Sequence, residues 1–293
     1  MAINLITRVE PKVMERLYKE SVTQGIFSTQ FSWAGAQSIE VFSVDNVPLS
    51  AYNRTLNDGT ASTIGKRFGS IIELGDTKNT YMMTDIIKYN IGIDKVNNSD
   101  QENIKNASAV ISRQDREVVR PYIDKYRLNK LAQGAGLNKY SATVANDLGR
   151  AKIVETLLKA KAELANNYAP TGKQVVYIGE TNAVEMKLAD QVIGIDKIAE
   201  QPIVNGVLYK LAGMQLNIVP DVYMPTNCAF LIVTKGSAWA PVKIAMSRVL
   251  DEHPDFYGPV VQHLQYHDCF VNDARKNTIY ACWTAAESVV HPT

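Results

Sequence analysis

One polar segment constrains this chain more than any other feature of its sequence. Between Asp45 and Thr80 only 11 of 36 residues are apolar, whereas apolar residues make up 46% of the whole chain. A segment so poor in large apolar side chains cannot close a hydrophobic core of its own. SIEVFSV at 38–44 predicts a strand, and residues 80–94 alternate apolar and polar side chains as a half-buried strand does. The sequence therefore predicts two strands that flank a polar excursion of about forty residues.

This predicted arm has two interpretations. A two-stranded arm that protrudes alone is marginal in water, so it needs cover, and another subunit is the natural source of that cover. Alternatively, the excursion is a surface loop without a partner. Structureless connections of this length are uncommon inside compact domains and are often functional. The residues themselves leave both interpretations open.

A long helix is predicted after the arm. Ser99 and Glu102 form a capping box at its start. Two faces follow at helical spacing, a buried one with Ile104, Ala107, Ile111 and Val118, and another with Arg113, Arg116 and Arg120. Pro121 is expected to kink or end the helix and to disfavour helical geometry at Arg120. A second helical stretch then runs to about 133, before Gly134.

The remaining chain mixes helices and strands. The patterns predict a helix over 144–166, a strand over 174–178, a helix from Thr181 to about 189, a hairpin around Gly213, and strands over 228–233, 259–271 and 278–283. The predicted class is therefore α+β, with mixed or antiparallel sheets.

Composition argues against several classes of protein. Lys and Arg total 31 and Asp and Glu total 30, a net charge of +1, which disfavours a generally basic nucleic-acid binder. Three cysteines without a CxxC pair give no disulfide framework and suit a reducing cytoplasm. No run of 18 apolar residues occurs, and the first residues lack the apolar stretch of a signal peptide.

The candidate chemical motifs do not hold together. His263 and His267 have the spacing of a helical metal pair, but their segment predicts a strand, where their Cα atoms lie roughly 13 Å apart. Residues 59–66 resemble a phosphate-binding loop, yet five residues separate the glycines and Arg67 stands where Ser or Thr is needed. The acidic and histidine cluster at 251–253 is expected in a solvated loop. The sequence thus predicts no catalytic, cofactor or metal residue, and no enzyme.

Several stretches nevertheless form a recognisable series along the chain. They are FSWAGAQSIEV at 31–41, ELGDT at 73–77, DKVNNSDQ at 94–101, RQDREVVRPYIDKYRL at 113–128, LAQGAG at 131–136, HDCFV at 267–271 and KNTIYA at 276–281. Together they resemble the major capsid proteins of tailed bacteriophages, which have the Hong Kong 97-type fold.

The resemblance implies a division of the chain. It comprises an N-terminal arm (1–30), the opening strand of a peripheral domain (31–44), an extended β-hairpin loop (45–98), a spine helix with peripheral domain (99–140), an axial domain (141–240) and the return strands of the peripheral domain (241–293). With only about thirty residues before the body, we expect a separate scaffolding protein or none.

The resemblance also implies a function. The chain is expected to self-assemble through pentamers and hexamers into an icosahedral shell that encloses phage double-stranded DNA. Expected partners are other copies of itself, a portal, separate scaffolding or decoration proteins, and packaged DNA through non-specific contact, with no membrane. Assembly is expected in the host bacterial cytoplasm, and the final location is the virion.

Two sets of basic residues become candidate sites on this interpretation. Arg54, Lys66 and Arg67 are candidates for ion pairs between subunits. Arg113, Arg116 and Arg120 are candidates for contact with DNA in the shell interior or with acidic residues of a neighbour, and a solvated helix face is the alternative.

Two other functions remain as alternatives. An encapsulin-type nanocompartment shares this fold and holds cargo enzymes. A soluble α/β enzyme would place its site near the strand at 174–178 and the loop at 179–182.

Overall fold

The computed structural model describes residues 21–30, 37–49, 52, 71–100, 105–140, 150–188, 203–204, 207–208, 210–251 and 253–285. The chain divides into two compact units. One is Ala36–Met83, called the hairpin below, and the other comprises Met1–Gly35 and Thr84–Thr293, called the body.

The hairpin consists of two antiparallel strands, β1 (Ser38–Val44) and β2 (Asp76–Met82). Ser38 lies opposite Met82 and Val44 opposite Asp76, so the predicted strand at 38–44 is confirmed. The single strand predicted over 80–94 is wrong, because β2 ends at Met82 and a separate strand begins at Asp85.

The body combines many strands with a few helices. Among the described residues its strands are β3 (Asp85–Gly92), β4 (Leu137–Tyr140), β5 (Gln174–Gly179), β6 (Ile203–Val204), β7 (Val207–Leu208), β8 (Lys210–Leu211), β9 (Met214–Val219), β10 (Cys228–Thr234), β11 (Ala238–Trp239), β12 (Val242–Leu250), β13 (Val260–His267), β14 (Phe270–Val271) and β15 (Ile279–Trp283). Its helices are α1 (Lys95–Asp100), α2 (Ala107–Gln114), α3 (Arg120–Gln133), α4 (Arg150–Asn166) and α5 (Glu180–Lys187), with a π-helical turn at Asp115–Val119.

A mixed six-stranded sheet, in the order β4-β15-β10-β5-β9-β8, carries the main cores of the body. β4 runs parallel to β15 and β5 parallel to β9, while the other neighbours are antiparallel. Every residue of β5, β10 and β15 is buried, as expected for strands covered on both faces. One core contains Leu157 of α4 and Met186 of α5, and the other contains Leu128 and Leu131 of α3.

This sheet draws strands from more than one predicted domain. β4 and β15 fall in the ranges assigned to the peripheral domain, whereas β5, β9 and β10 fall in the axial range. The division into peripheral and axial domains therefore stays a prediction.

A second sheet, in the order β12-β13-β3, is antiparallel throughout. β13 runs within the predicted strand at 259–271, which is interrupted before β14. β12 was not predicted, because VKIAMSRVL has apolar residues on both faces of the strand; its pairing with β13 also shifts register between Val242 and Ile244.

The long helix differs from its prediction at both its start and its middle. Ser99 lies inside α1, and α2 instead begins after Asn106, whose side chain accepts a hydrogen bond from the Ser108 amide at 2.9 Å. The π-helical turn at Asp115–Val119 precedes Pro121, and the helix continues, with Arg120 at helical φ −61° and ψ −47°. The expectation of non-helical geometry at Arg120 is therefore wrong.

The π-helical turn also changes which residues face inward. It adds one residue to a turn, so positions beyond it shift by one relative to an α-helix. Val118, predicted on the buried face with Ile111, is 50% exposed, whereas Val119 is only 4% exposed.

Two smaller predictions have clear outcomes. The hairpin around Gly213 is present as β8 and β9. The helix predicted from Thr181 is α5, which begins one residue earlier, after Gly179. Between β14 and β15, Asp273–Thr278 form a 3-10 helix.

Candidate assembly surfaces

The hairpin carries an exposed apolar face. Because side chains alternate along a strand, Phe42 and Val44 of β1 lie on the same face as Met82 of β2. Phe42 and Val44 are each 61% exposed. On this face Lys78 Nζ pairs with Glu40 Oε2 at 2.7 Å, an ion pair open to solvent. Large apolar side chains grouped at a surface mark a site of contact with another molecule.

Exposed apolar side chains continue toward the end of the described hairpin. Leu49 and Ile71 are fully exposed, and Ile72 and Leu74 are exposed as well. The hairpin therefore carries apolar surface that its own described residues do not cover.

The body carries a second apolar surface, on one face of the three-stranded sheet. Cross-strand register places Lys88, Leu264 and Met246 side by side in one row and Ile86, Tyr266 and Ile244 in the next. Five residues of these rows are exposed, and Arg248 lies on the same strand as two of them. We call these six residues the outer face: Ile86, Lys88, Ile244, Met246, Arg248 and Leu264. A groove of about 570 Å³ runs along it.

The opposite face of this sheet packs inward. Tyr89 stacks on His263 with ring centroids 4.9 Å apart, and Ser247 Oγ lies 2.8 Å from His263 Nδ1. His267 is completely buried, with Nε2 3.3 Å from Asp85 Oδ2. Both histidines lie on β13 as predicted, and the described residues contain no group of three or more metal-binding side chains.

One positive charge of the predicted arginine face is offset by a neighbouring carboxylate. Arg120 donates from Nε and Nη2 to Asp115 Oδ2, each at 2.9 Å, so an adjacent carboxylate offsets its charge. Arg113 and Arg116 are half-buried. Contact of these three residues with DNA or a neighbour stays a prediction.

The other candidate residues, Arg54, Lys66 and Arg67, lie outside the described residues, so their ion pairs also stay predictions. Residues 59–66, which do not match a phosphate-binding loop in sequence, also lie outside the described residues. The outer face was not predicted from the sequence, although the sequence carries one signal of it. Ile244 and Met246 recur two residues apart, as on one face of a strand.

The region proposed for an alternative enzyme site is a polar pocket of about 480 Å³ beside the start of α5. The carboxylate of Asp221 lies at the N-terminus of α5, where an anionic ligand would bind. It accepts hydrogen bonds from the Thr181 hydroxyl at 2.6 Å and the Thr181 amide at 3.3 Å. Gly179 makes room for it, since an added Cβ would overlap Asp221 Oδ1. A helix N-terminus that binds its own carboxylate is not free for a substrate phosphate.

The three cysteines are buried free thiols. Burial raises the pKa of Cys228, and it raises the pKa values of Cys269 and Cys282 to about 12. Protonated, buried thiols are poor nucleophiles. Cys228 lies in the core, as a small apolar residue would.

The helices and sheets described above have the architecture of the Hong Kong 97-type capsid fold. Solved structures show the same fold. A chain from Mycobacterium phage Che8 superposes with a TM-score of 0.76 at 13% identity, covering 96% of this chain and 98% of that one. A chain from the capsid of cyanophage P-SCSP1u gives 0.71 at 13% identity, covering 95% and 92%. One from the head of Helicobacter pylori bacteriophage KHP40 gives 0.66 at 11% identity, covering 95% and 94%.

These likenesses confirm the α+β class and the phage-capsid fold predicted from sequence. No protein-family model and no curated protein matches the chain. Among the described residues, no helix combines the length and apolar character needed to cross a membrane.

Proposed function

We propose that this chain is a phage major capsid protein that self-assembles through pentamers and hexamers into an icosahedral shell enclosing double-stranded DNA. The observation that carries the proposal is the apolar face of the hairpin, on which Phe42 and Val44 are each 61% exposed. Burying apolar surface is favourable by about 25 cal/mol per Å², so the hairpin gains stability from a neighbouring copy.

The outer face of a neighbouring body is the surface that suits this hairpin. Its apolar residues can cover Phe42 and Val44, and it carries the cations Lys88 and Arg248. Four of the described hairpin residues are acidic, Glu40, Asp45, Glu73 and Asp76, and of these Glu40 already pairs with Lys78. Opposite charges favour docking and fix its register, while apolar area supplies most of the strength.

The remaining assignments follow from the same proposal. The predicted ranges for arm, extended loop, peripheral domain and axial domain would be parts of the shell subunit. Portal, scaffolding or decoration proteins and packaged DNA would be its partners. Arg113, Arg116 and Arg120 stay the candidates for contact with DNA or with acidic residues of a neighbour, and Arg120 also pairs with Asp115 of its own chain. The subunit would be assembled in the host cytoplasm and located in the virion.

The proposal is tested by expressing the chain and measuring particle mass by size-exclusion chromatography and electron microscopy. We expect rings or closed shells of megadalton mass. A small oligomer or stable monomer would contradict the proposal and favour an enzyme. Closed particles that hold protein cargo and no DNA when isolated from phage-producing cells would indicate a nanocompartment instead.

Point variants locate the contact. Phe42→Asp on the hairpin and Met246→Asp on the outer face should each abolish particle formation, because they place a charge in an apolar interface. Val222→Asp is the matched control, since Val222 is also exposed but lies outside both surfaces. Normal particle yield from both interface variants would overturn this pairing of surfaces.

A further inference from the structure

The chain passes from the hairpin to the body between two consecutive residues, and their amides have different partners. The Met83 amide donates to the Gln37 carbonyl at 3.0 Å, within the hairpin. The next amide, that of Thr84, donates to Asp268 Oδ2 at 2.9 Å, within the body, and the Thr84 hydroxyl donates to the same oxygen at 3.2 Å. The boundary between the two units falls at this peptide.

Asp268 is built into the body as a fixed acceptor. Its side chain is buried, and its other oxygen, Oδ1, accepts from the Tyr126 hydroxyl and from the Cys269 amide, both at 2.8 Å. Tyr126 belongs to α3, so the helix holds the carboxylate from one side while Thr84 binds it from the other. Hydrogen bonds to a buried carboxylate are stronger than those between neutral groups.

The strand register explains why a side chain acts here. Asp85 of β3 lies opposite His267 of β13 in the ladder. The next pair would be Thr84 with Asp268, but the ladder ends and the Asp268 amide donates to the Pro241 carbonyl instead. The Thr84 amide has no partner in the strand ladder, and the Asp268 carboxylate accepts its hydrogen bond instead.

We propose that Asp268 is a positioning residue: its carboxylate anchors Thr84, the residue at which the chain leaves the hairpin and enters the body. A fixed exit reduces the conformational freedom that the hairpin loses when it docks on a neighbour, which favours binding. This inference deepens the proposed function, because docking is the event that the anchor would assist.

The first test is amide hydrogen exchange of the purified chain. In Asp268→Asn the Thr84 amide loses its charged acceptor, and exchange across 83–85 should accelerate about tenfold. Amides of β5 and β10, in the other sheet, should exchange as in the wild type. Unchanged exchange across 83–85 in a folded Asp268→Asn variant would overturn the proposal.

A milder variant covers the case in which Asp268→Asn does not fold. Thr84 is exposed, and Thr84→Val keeps its shape but removes the hydroxyl bond. We expect roughly fivefold faster exchange at this junction, with an unchanged melting temperature. Wild-type exchange in Thr84→Val would likewise contradict the anchor.

Particle yield gives the functional readout. Thr84→Val should form particles more slowly than the wild type at an equal concentration of folded chain. Thr181→Val is the matched control, because it also removes a threonine bond to an aspartate, Asp221, at a remote site, and it should assemble normally. Equal assembly rates for the two variants would overturn the positioning role. If the wild type forms no particles, the proposed function fails, while the exchange result still decides whether Asp268 is an anchor.

Discussion

Single buried residues hold the N-terminal segment on the body. Asp124 of α3 is almost completely buried and accepts three hydrogen bonds: from the Ser21 hydroxyl at 2.8 Å, the Val22 amide at 3.0 Å and the Thr23 hydroxyl at 2.6 Å. Ile26 then enters the same core as α3. Residues 21–30 are thus part of the packed body, within the range 1–30 for which the resemblance implied an N-terminal arm.

Asp124→Ala should lower the free energy of unfolding by about 3 kcal/mol, because it leaves three donors without their charged acceptor. Chemical denaturation followed by circular dichroism measures the change. Glu155→Ala is the control: it removes an exposed pair with Lys159 and should cause no measurable loss. Equal stability of Asp124→Ala and the wild type would show that residues 21–23 add nothing to the fold.

Gly179→Ala tests the carboxylate cap of α5. An added methyl overlaps Asp221 Oδ1, so the variant should lose about 1–2 kcal/mol of stability. The effect should largely disappear in an Asp221→Ala background, where the overlap is gone. Thermal melts of the four chains form a double-mutant cycle, and additive losses would refute the explanation.

At the scale of elements, local sequence patterns predicted the strands at 38–44, 174–178 and 228–233 because each fills a run of suitable residues. They failed where the outcome depends on tertiary packing. Nothing in RQDREVV signals a π-helical turn. The turn brings Val119 into the interior, and local helix propensity does not depend on that burial. β12 was missed for a similar reason: its sheet partner, not its own alternation, fixes which residues face outward. The pairing of Arg120 with Asp115 was not predicted either. The face with Arg113, Arg116 and Arg120 was inferred from ideal α-helical spacing, which the π-helical turn changes.

The burial of His267 where β13 pairs with β3 predicts that the body loses stability in acid. Burial lowers the pKa of His267 below its ordinary value of 6.5; Asp85 of β3 raises it, Arg127 of α3 lowers it and the adjacent Asp268 raises it. Tyr122 and Tyr126 of α3 pack on the same ring. Because the folded state favours neutral His267, the unfolded state binds more protons. The stabilisation is complete above about pH 6.5 and is lost as the pH falls through the lower folded pKa.

We expect the wild type to lose up to about 1.4 kcal/mol of stability per pH unit from this group as the pH falls below 6.5. His267→Gln should show a shallower dependence in urea titrations at a series of pH values. His253→Gln, in the loop between β12 and β13, should keep the wild-type slope. Parallel slopes for wild type and His267→Gln would assign the acid sensitivity to other groups.

At the scale of the whole molecule, the two units differ in what stabilises them. The body has two buried apolar clusters on its six-stranded sheet. The hairpin has cross-strand hydrogen bonds and an exposed ion pair, but much of its described apolar surface is open to solvent. The low apolar content of 45–80 predicted this imbalance. The sequence did not predict which surface of a partner would match the hairpin, since that depends on how β12, β13 and β3 align.

This difference predicts that residues 50–75, which connect β1 and β2 in the sequence, are dispensable for folding and essential for assembly. Replacing residues 50–75 with a short Gly-Ser turn should leave the melting temperature of the body within a few degrees of the wild type, since both clusters lie elsewhere. The same variant should give no closed particles in electron micrographs. A second variant, with a Gly-Ser segment of the original length, separates the effect of the side chains of 50–75 from the effect of the segment's length. If either variant closed shells at the normal yield, residues 50–75 would not be the segment that joins subunits.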